Sequence, residues 1–146
     1  MNKANLDLIV EFRSLREKRL SKELAMIRNR LKAKEEELNS IKNKKKWSLL
    51  RLREAQKDAL DIYRIELISQ HISGLDGKIK DIEKEIRQIN QEYEKKLDQL
   101  LEARKQKKLV EKLRKRWIER QKYEFFRKEQ NFLDEIATNN FIYKNA

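Results

Sequence analysis

The chain of 146 residues has 37 Lys+Arg against 25 Asp+Glu, a formal net charge of +12; 42% of it is charged, with two glycines, one histidine, no proline and no cysteine. This composition excludes a single compact globular core and matches long helices and coiled coils. The lack of cysteine excludes disulfide frameworks and zinc-thiolate centres, and the apolar residues recur at helical spacing, as a solvated disordered segment would not.

At the N-terminus, Asp7 and Glu11 interrupt the apolar residues, and the segment lacks the pattern of a secretory signal. The longest run without a charged residue, Leu67 to Leu75, is about half the length of a membrane-spanning helix. The expected compartment is the cytoplasm, with the protein peripheral to a membrane at most.

From Leu20 the apolar residues follow a four-three alternation: Leu20, Leu24, Ile27, Leu31, then Leu38, Ile41, Leu52, Ala55 and Ala59, with Lys34, Lys45 and Ser48 filling the weaker positions. This is a heptad seam. A second series, Ile65, Ile68, Ile72, Leu75, Ile79, Ile82, Ile86, Ile89 and Tyr93, is filled at almost every position. It continues less regularly through Leu97, Leu100, Ala103, Val110, Leu113 and Trp117.

Two places for a turn compete. His71 to Gly77 holds both glycines and Ser73, but the second series crosses it without losing phase, and a glycine on a helix surface costs only about 1 kcal/mol. Between Ala59 and Ile65 the phase breaks, and Asp58 or Asp61 is suited to cap a new helix. The expected fold is therefore all-α, a long antiparallel two-helix coiled coil or αα-hairpin, rod-like and of one domain over 1–146. Arm one covers about 5–56, the turn about 55–62 with 71–77 as the alternative, arm two about 62–138, and a C-terminal tail 139–146. The second arm overhangs the first, and its distal part should hold apolar side chains without an internal partner.

Catalytic readings find no support. Gly74 and Gly77 lack the Gly-Lys-Ser/Thr context of a phosphate loop, and His71 has no second metal ligand at helical spacing and no nucleophile beside it. The expectation is a non-enzyme without cofactor or metal.

The chemically loaded segment is C-terminal. Arg104, Lys105, Lys107, Lys108, Lys112, Arg114, Lys115, Arg116, Arg120 and Lys122 are opposed there only by Glu111 and Glu119. Trp117, Tyr123, Phe125, Phe126, Phe132, Phe141 and Tyr143 lie within or just beyond this belt. Aromatic residues and arginine are the types that dominate protein interfaces. Phe125 and Phe126 are adjacent and cannot both enter one seam. Two readings follow: basic residues, Arg114, Lys115 and Arg116 among them, steer the chain to an acidic protein partner with aromatics as anchors, or the belt binds nucleic acid. The second is weaker, because acids recur through most of the chain, no base-reading motif is present and the aromatics do not interleave with the charges. A generic scaffold is the remaining alternative. Trp47, beside Lys44-Lys45-Lys46, either caps the hairpin tip or anchors a partner.

The second arm resembles the FliJ/YscO family, small coiled-coil stalk proteins of flagellar and related type III export machines. The resemblance rests on Ala59-Leu60-Asp61 followed by Ile68, His71-Ile72, Leu75 and Ile79, on Leu101 to Leu113 with its Glu-Ala-Arg-Lys element, and on Glu129-Gln130 and Leu133 to Ala137. It implies a non-enzymatic component that binds a hexameric export ATPase and promotes its ring assembly and activity. It further implies links to the cytoplasmic domain of the export-gate membrane protein and to export chaperones. Carried over by position, Arg120, Glu124, Arg127, Glu129, Gln130, Asp134 and Glu135 would face the ATPase, and His71, Leu75 and Lys78 the gate, with Trp47 a further candidate there. The resemblance reads slightly closer to flagellar systems than to injectisomes.

Overall fold

Asn2 Oδ1 accepts a hydrogen bond of 2.9 Å from the Asn5 backbone N–H, which caps the first helix. No proline or glycine follows until the chain has passed the helix end, and α1 spans Lys3–Lys57, 55 residues. Asp61 Oδ1 accepts from Arg64 N at 3.1 Å and Asp61 O from Ile65 N at 3.2 Å, so Asp61 is the cap of α2, which spans Ile62–Asn145, 84 residues. The computed structural model describes residues 2–57 and 61–145. The turn expected at 55–62 falls largely on 58–60, with Asp58, Ala59 and Leu60, which lie outside the described residues.

His71 to Gly77, the alternative turn, is helical throughout. Neither glycine has positive φ, and a Cβ built at Gly74 or Gly77 meets nothing within 4 Å. Neither position needs glycine's conformational freedom. Gly74→Ala and Gly77→Ala should each raise stability by up to about 1 kcal/mol, read as a higher melting temperature by circular dichroism; a lower one would show that the glycine is required.

Of the segment 139–146 expected as a C-terminal tail, residues 139–145 belong to α2, which continues to Asn145. Nothing in that stretch breaks a helix, and two side chains bond back onto the preceding turn, Thr138 Oγ1 to Asp134 O at 2.8 Å and Asn145 Nδ2 to Phe141 O at 3.0 Å.

The two helices pack as a hairpin, and the chain divides into two compact units: Arg19–Leu100, and Met1–Lys18 with Leu101–Ala146. In Arg19–Leu100 the seam runs through Leu20, Leu24 and Ile27 to Ser48 and Ala55 on α1, and through Leu75, Ile79, Ile82, Ile89 and Leu100 on α2, all buried. Lys34 and Lys45 occupy seam positions and escape it with their charged ends. Lys34 Nζ reaches Glu85 at 2.6 Å and Glu37 at 3.2 Å, and Lys45 Nζ reaches Asp76 at 2.6 Å. Lys34 is held above its ordinary pKa, chiefly by the hydrogen bond to Glu85 and then by that to Glu37. Across the seam Lys42 meets Glu83 at 4.0 Å, Arg30 meets Glu92 at 3.0 Å and Lys96 meets Glu23 at 2.7 Å. As the α1 number falls the α2 number rises, which defines an antiparallel pair. Exposed ion pairs of this kind add little stability; matching charges on both edges fix the register.

The other unit is packed the same way over a shorter distance. Leu6 is 3% exposed and Ala103 2% exposed. Glu17 Oε2 lies 3.1 Å from Lys107 Nζ and its Oε1 accepts from Arg104 Nε at 3.3 Å, while Arg13 donates to Gln106 Oε1 at 2.6 Å. The hydrogen bond from Lys107, aided by Arg104, holds the Glu17 carboxyl below its ordinary value against the opposing effect of burial. Asp7 Oδ1 and Arg114 Nε are 2.7 Å apart without the alignment of a hydrogen bond, so this contact is coulombic.

Candidate docking surfaces

In Arg19–Leu100, Trp47 is 67% exposed although the seam passes directly beside it at Ser48. The ion pairs say which edge it occupies. Lys42–Glu83 and Lys45–Asp76 mark one edge of the seam, and Arg30–Glu92 the other. His71 and Lys78 precede Glu92 by whole heptads, and Lys44 follows Arg30 by whole heptads, with Trp47 three residues further on the same face. Trp47, His71 and Lys78 therefore share one edge, all three exposed. The register that sets Lys45 beside Asp76 also sets Trp47 level with Gly74, where no side chain covers α2. The result is an exposed indole on the same edge of the hairpin as an imidazole and an ammonium group.

Leu75 is not part of that surface. It is 4% exposed and lies in the seam, so its expected place among the gate-facing residues is corrected. The helical period that makes Leu75 a seam residue outweighs its position in a family pattern.

In the unit of Met1–Lys18 and Leu101–Ala146, α2 outruns α1. From Glu119 onward every described residue is exposed, including Arg120, Glu124, Arg127, Glu129, Gln130, Asp134 and Glu135. Phe125 and Phe126 stand 64% and 63% exposed, their rings 6.0 Å apart and 69° inclined in an edge-to-face pair. Gln130 Nε2 bonds Asp134 Oδ1 at 3.2 Å along the same helix. Just before this segment, Trp117 is half-buried in a shallow hollow with Leu6, Leu113, Arg116 and Arg120. That hollow offers two guanidinium groups over an apolar floor, suited to an acidic side chain with an apolar neighbour.

The basic triplet is divided by the fold. Arg114 is spent on Asp7, whereas Lys115 and Arg116 face solvent. One surface was missed by the sequence reading: Leu8, Phe12 and Leu15, exposed at 64%, 61% and 59% on the outer face of α1, with the Arg13 guanidinium 5.9 Å from the Phe12 ring centre. Their four-three spacing was visible, but it runs out of phase with the seam that begins at Leu20. The segment beyond Ile118 likewise holds Leu133 and Ile136 exposed beside its aromatics.

Among the described residues there is no cluster of His, Asp or Glu that would hold a metal ion, and no helix long and apolar enough to cross a membrane. The sequence matches the family described as "FliJ: Flagellar FliJ protein" over residues 2–146. The chain belongs to the FliJ family. It is thereby a component of the flagellar export apparatus, in a family that is not catalytic. No curated protein and no solved structure matches the chain.

Proposed function

We propose that this FliJ-family chain is a stalk for a hexameric export ATPase, engaging the ring through the unit that bears both termini and promoting its assembly and turnover. The observation that supports this reading is the segment beyond Ile118, a continuous helix with no internal partner that exposes aromatic and aliphatic side chains behind a basic belt. On a chain that buries its other seams, this apolar surface is an unfilled interface. The ring-facing residues are Lys115, Arg116, Trp117, Arg120, Glu124, Phe125, Phe126, Arg127, Glu129, Gln130, Asp134 and Glu135, joined by Leu8, Phe12 and Leu15 on α1. Arg114 holds α1 to α2 through Asp7 and supports the site from behind. In Arg19–Leu100, the edge with Trp47, His71 and Lys78 is the surface for the export-gate cytoplasmic domain, and export chaperones belong among the partners of this chain. The protein works at the cytoplasmic face of the apparatus without entering the bilayer.

The test is to titrate the chain into the cognate export ATPase while recording ATP turnover and particle mass at near-physiological salt. Wild type should raise both in a saturable way; no change in either would overturn the stalk reading. Lys115→Glu with Arg116→Glu should weaken the effect about tenfold at low salt and progressively less as salt rises, with helicity retained, because exposed charges act on encounter and are screened. Equal activity of variant and wild type at low salt would remove the belt from the interface. Arg114 is left intact in this variant so that the Asp7 contact is not disturbed.

A further inference from the structure

The exposed face of the C-terminal segment carries an apolar stripe at regular helical spacing. Ile118, Phe125, Phe132, Ile136 and Tyr143 fall on one stripe of α2 at four-three spacing, with Lys122, Glu129 and Asn139 in its remaining positions. This stripe is not the seam that packs on α1. The α1-facing positions continue through Gln121, Glu124, Lys128 and Asn131, all polar, so a longer α1 would find nothing to cover. Phe125, Phe132 and Ile136 stand 64%, 61% and 40% exposed.

We propose that this stripe pairs antiparallel with the same stripe of a second copy of the chain. One register sets Phe125 against Ile136 of the second copy and Ile118 against Tyr143 of the second copy, with Lys122 opposite Asn139 and Phe132 lying along the stem of Glu129, each twice because a two-fold axis relates the copies. The flanking positions agree. Lys128 falls beside Glu135 of the second copy on one edge, and Phe126 beside Leu133 of the second copy on the other. A parallel pair would stack Glu129 on Glu129 and Lys122 on Lys122, like charges in two core layers, and would form neither ion pair nor apolar flank. The segment from Ile118 to Tyr143 spans on the order of 40 Å, several heptads of contact. Physiological salt, with a Debye length of about 8 Å, screens the net charge of +12 that opposes association.

The test uses the full chain alone, so its outcome is separate from that of any ATPase titration. Sedimentation equilibrium across the micromolar range should show a monomer–dimer equilibrium. Lys128→Glu alone and Glu135→Lys alone should each weaken the dimer about tenfold or more, since each places like charges together at both symmetric contacts, while circular dichroism stays unchanged at these exposed positions. Mixing the two single variants should restore wild-type affinity, because the glutamate introduced at position 128 then meets the lysine introduced at position 135 in one contact, and Lys128 meets Glu135 in the other. A monomer at every concentration overturns the proposal, and so does a dimer whose affinity neither single variant changes or the mixture fails to restore.

Discussion

Phe125→Ser, Phe132→Ser and Ile136→Ser introduced together should raise the concentration of chain needed for half-maximal stimulation of the export ATPase about a hundredfold, with helicity retained. The three side chains are exposed, so the fold loses little when they are shortened. At an interface, anchors of this type contribute about 1 kcal/mol or more each, and about 2.7 kcal/mol corresponds to the hundredfold change. Serine at three exposed helix positions costs a few tenths of a kcal/mol each, which the long helix absorbs. The same variant loses the pairing between copies, and that loss frees the segment for the ring, so weaker stimulation cannot be ascribed to it. The measurement is a turnover titration with parallel circular dichroism. Half-saturation within twofold of wild type would take the stripe out of the ring interface.

Ile82→Asp should destabilise Arg19–Leu100 by about 3 kcal/mol or more and lower the melting transition accordingly. Ile82 is 5% exposed in the middle of the best-filled part of the seam, between Ile79 and Ile89, which are also buried. A carboxylate there must shed water without gaining a partner, and the transfer free energy of the isoleucine is lost as well. Lys78→Asp, one turn away on the exposed edge, should stay within about 0.5 kcal/mol and serves as the control. Thermal unfolding followed by circular dichroism separates the two. If both variants melt alike, the seam is not what holds this unit together.

Most of the seam was legible because heptad spacing is a local property of the chain. The positions from Leu20 to Ala55 and from Ile65 to Tyr93 occupy the buried or half-buried stripe, Lys34, Lys45 and Ser48 included. Their polarity weakened the pattern without shifting its phase, since a lysine stem lies along an apolar seam while its ammonium reaches a carboxylate on the facing helix. Leu113 breaks the expected series, being 53% exposed where the spacing had already become irregular. Leu8, Phe12 and Leu15 escaped notice because they lie off the seam phase, and a stripe facing solvent is read as noise when only the core is sought. Leu75 was both a seam residue by period and a partner-facing residue by position, and packing decides for the seam.

The candidate surfaces were legible as residue types and not as places. Trp47, His71 and Lys78 are distant in sequence on two helices, and only the antiparallel register brings them to one edge. Arg114, Lys115 and Arg116 read as one basic triplet, yet Asp7, more than a hundred residues earlier, takes Arg114 out of it. The sequence by itself determined the helical class, the antiparallel seam and the concentration of base and aromatic residues near the C-terminus, because periodicity and composition act within each helix. Which edge each exposed residue joins, and which charges are consumed inside the molecule, was decided only by tertiary structure, because those depend on the register between two helices that no single stretch of sequence contains.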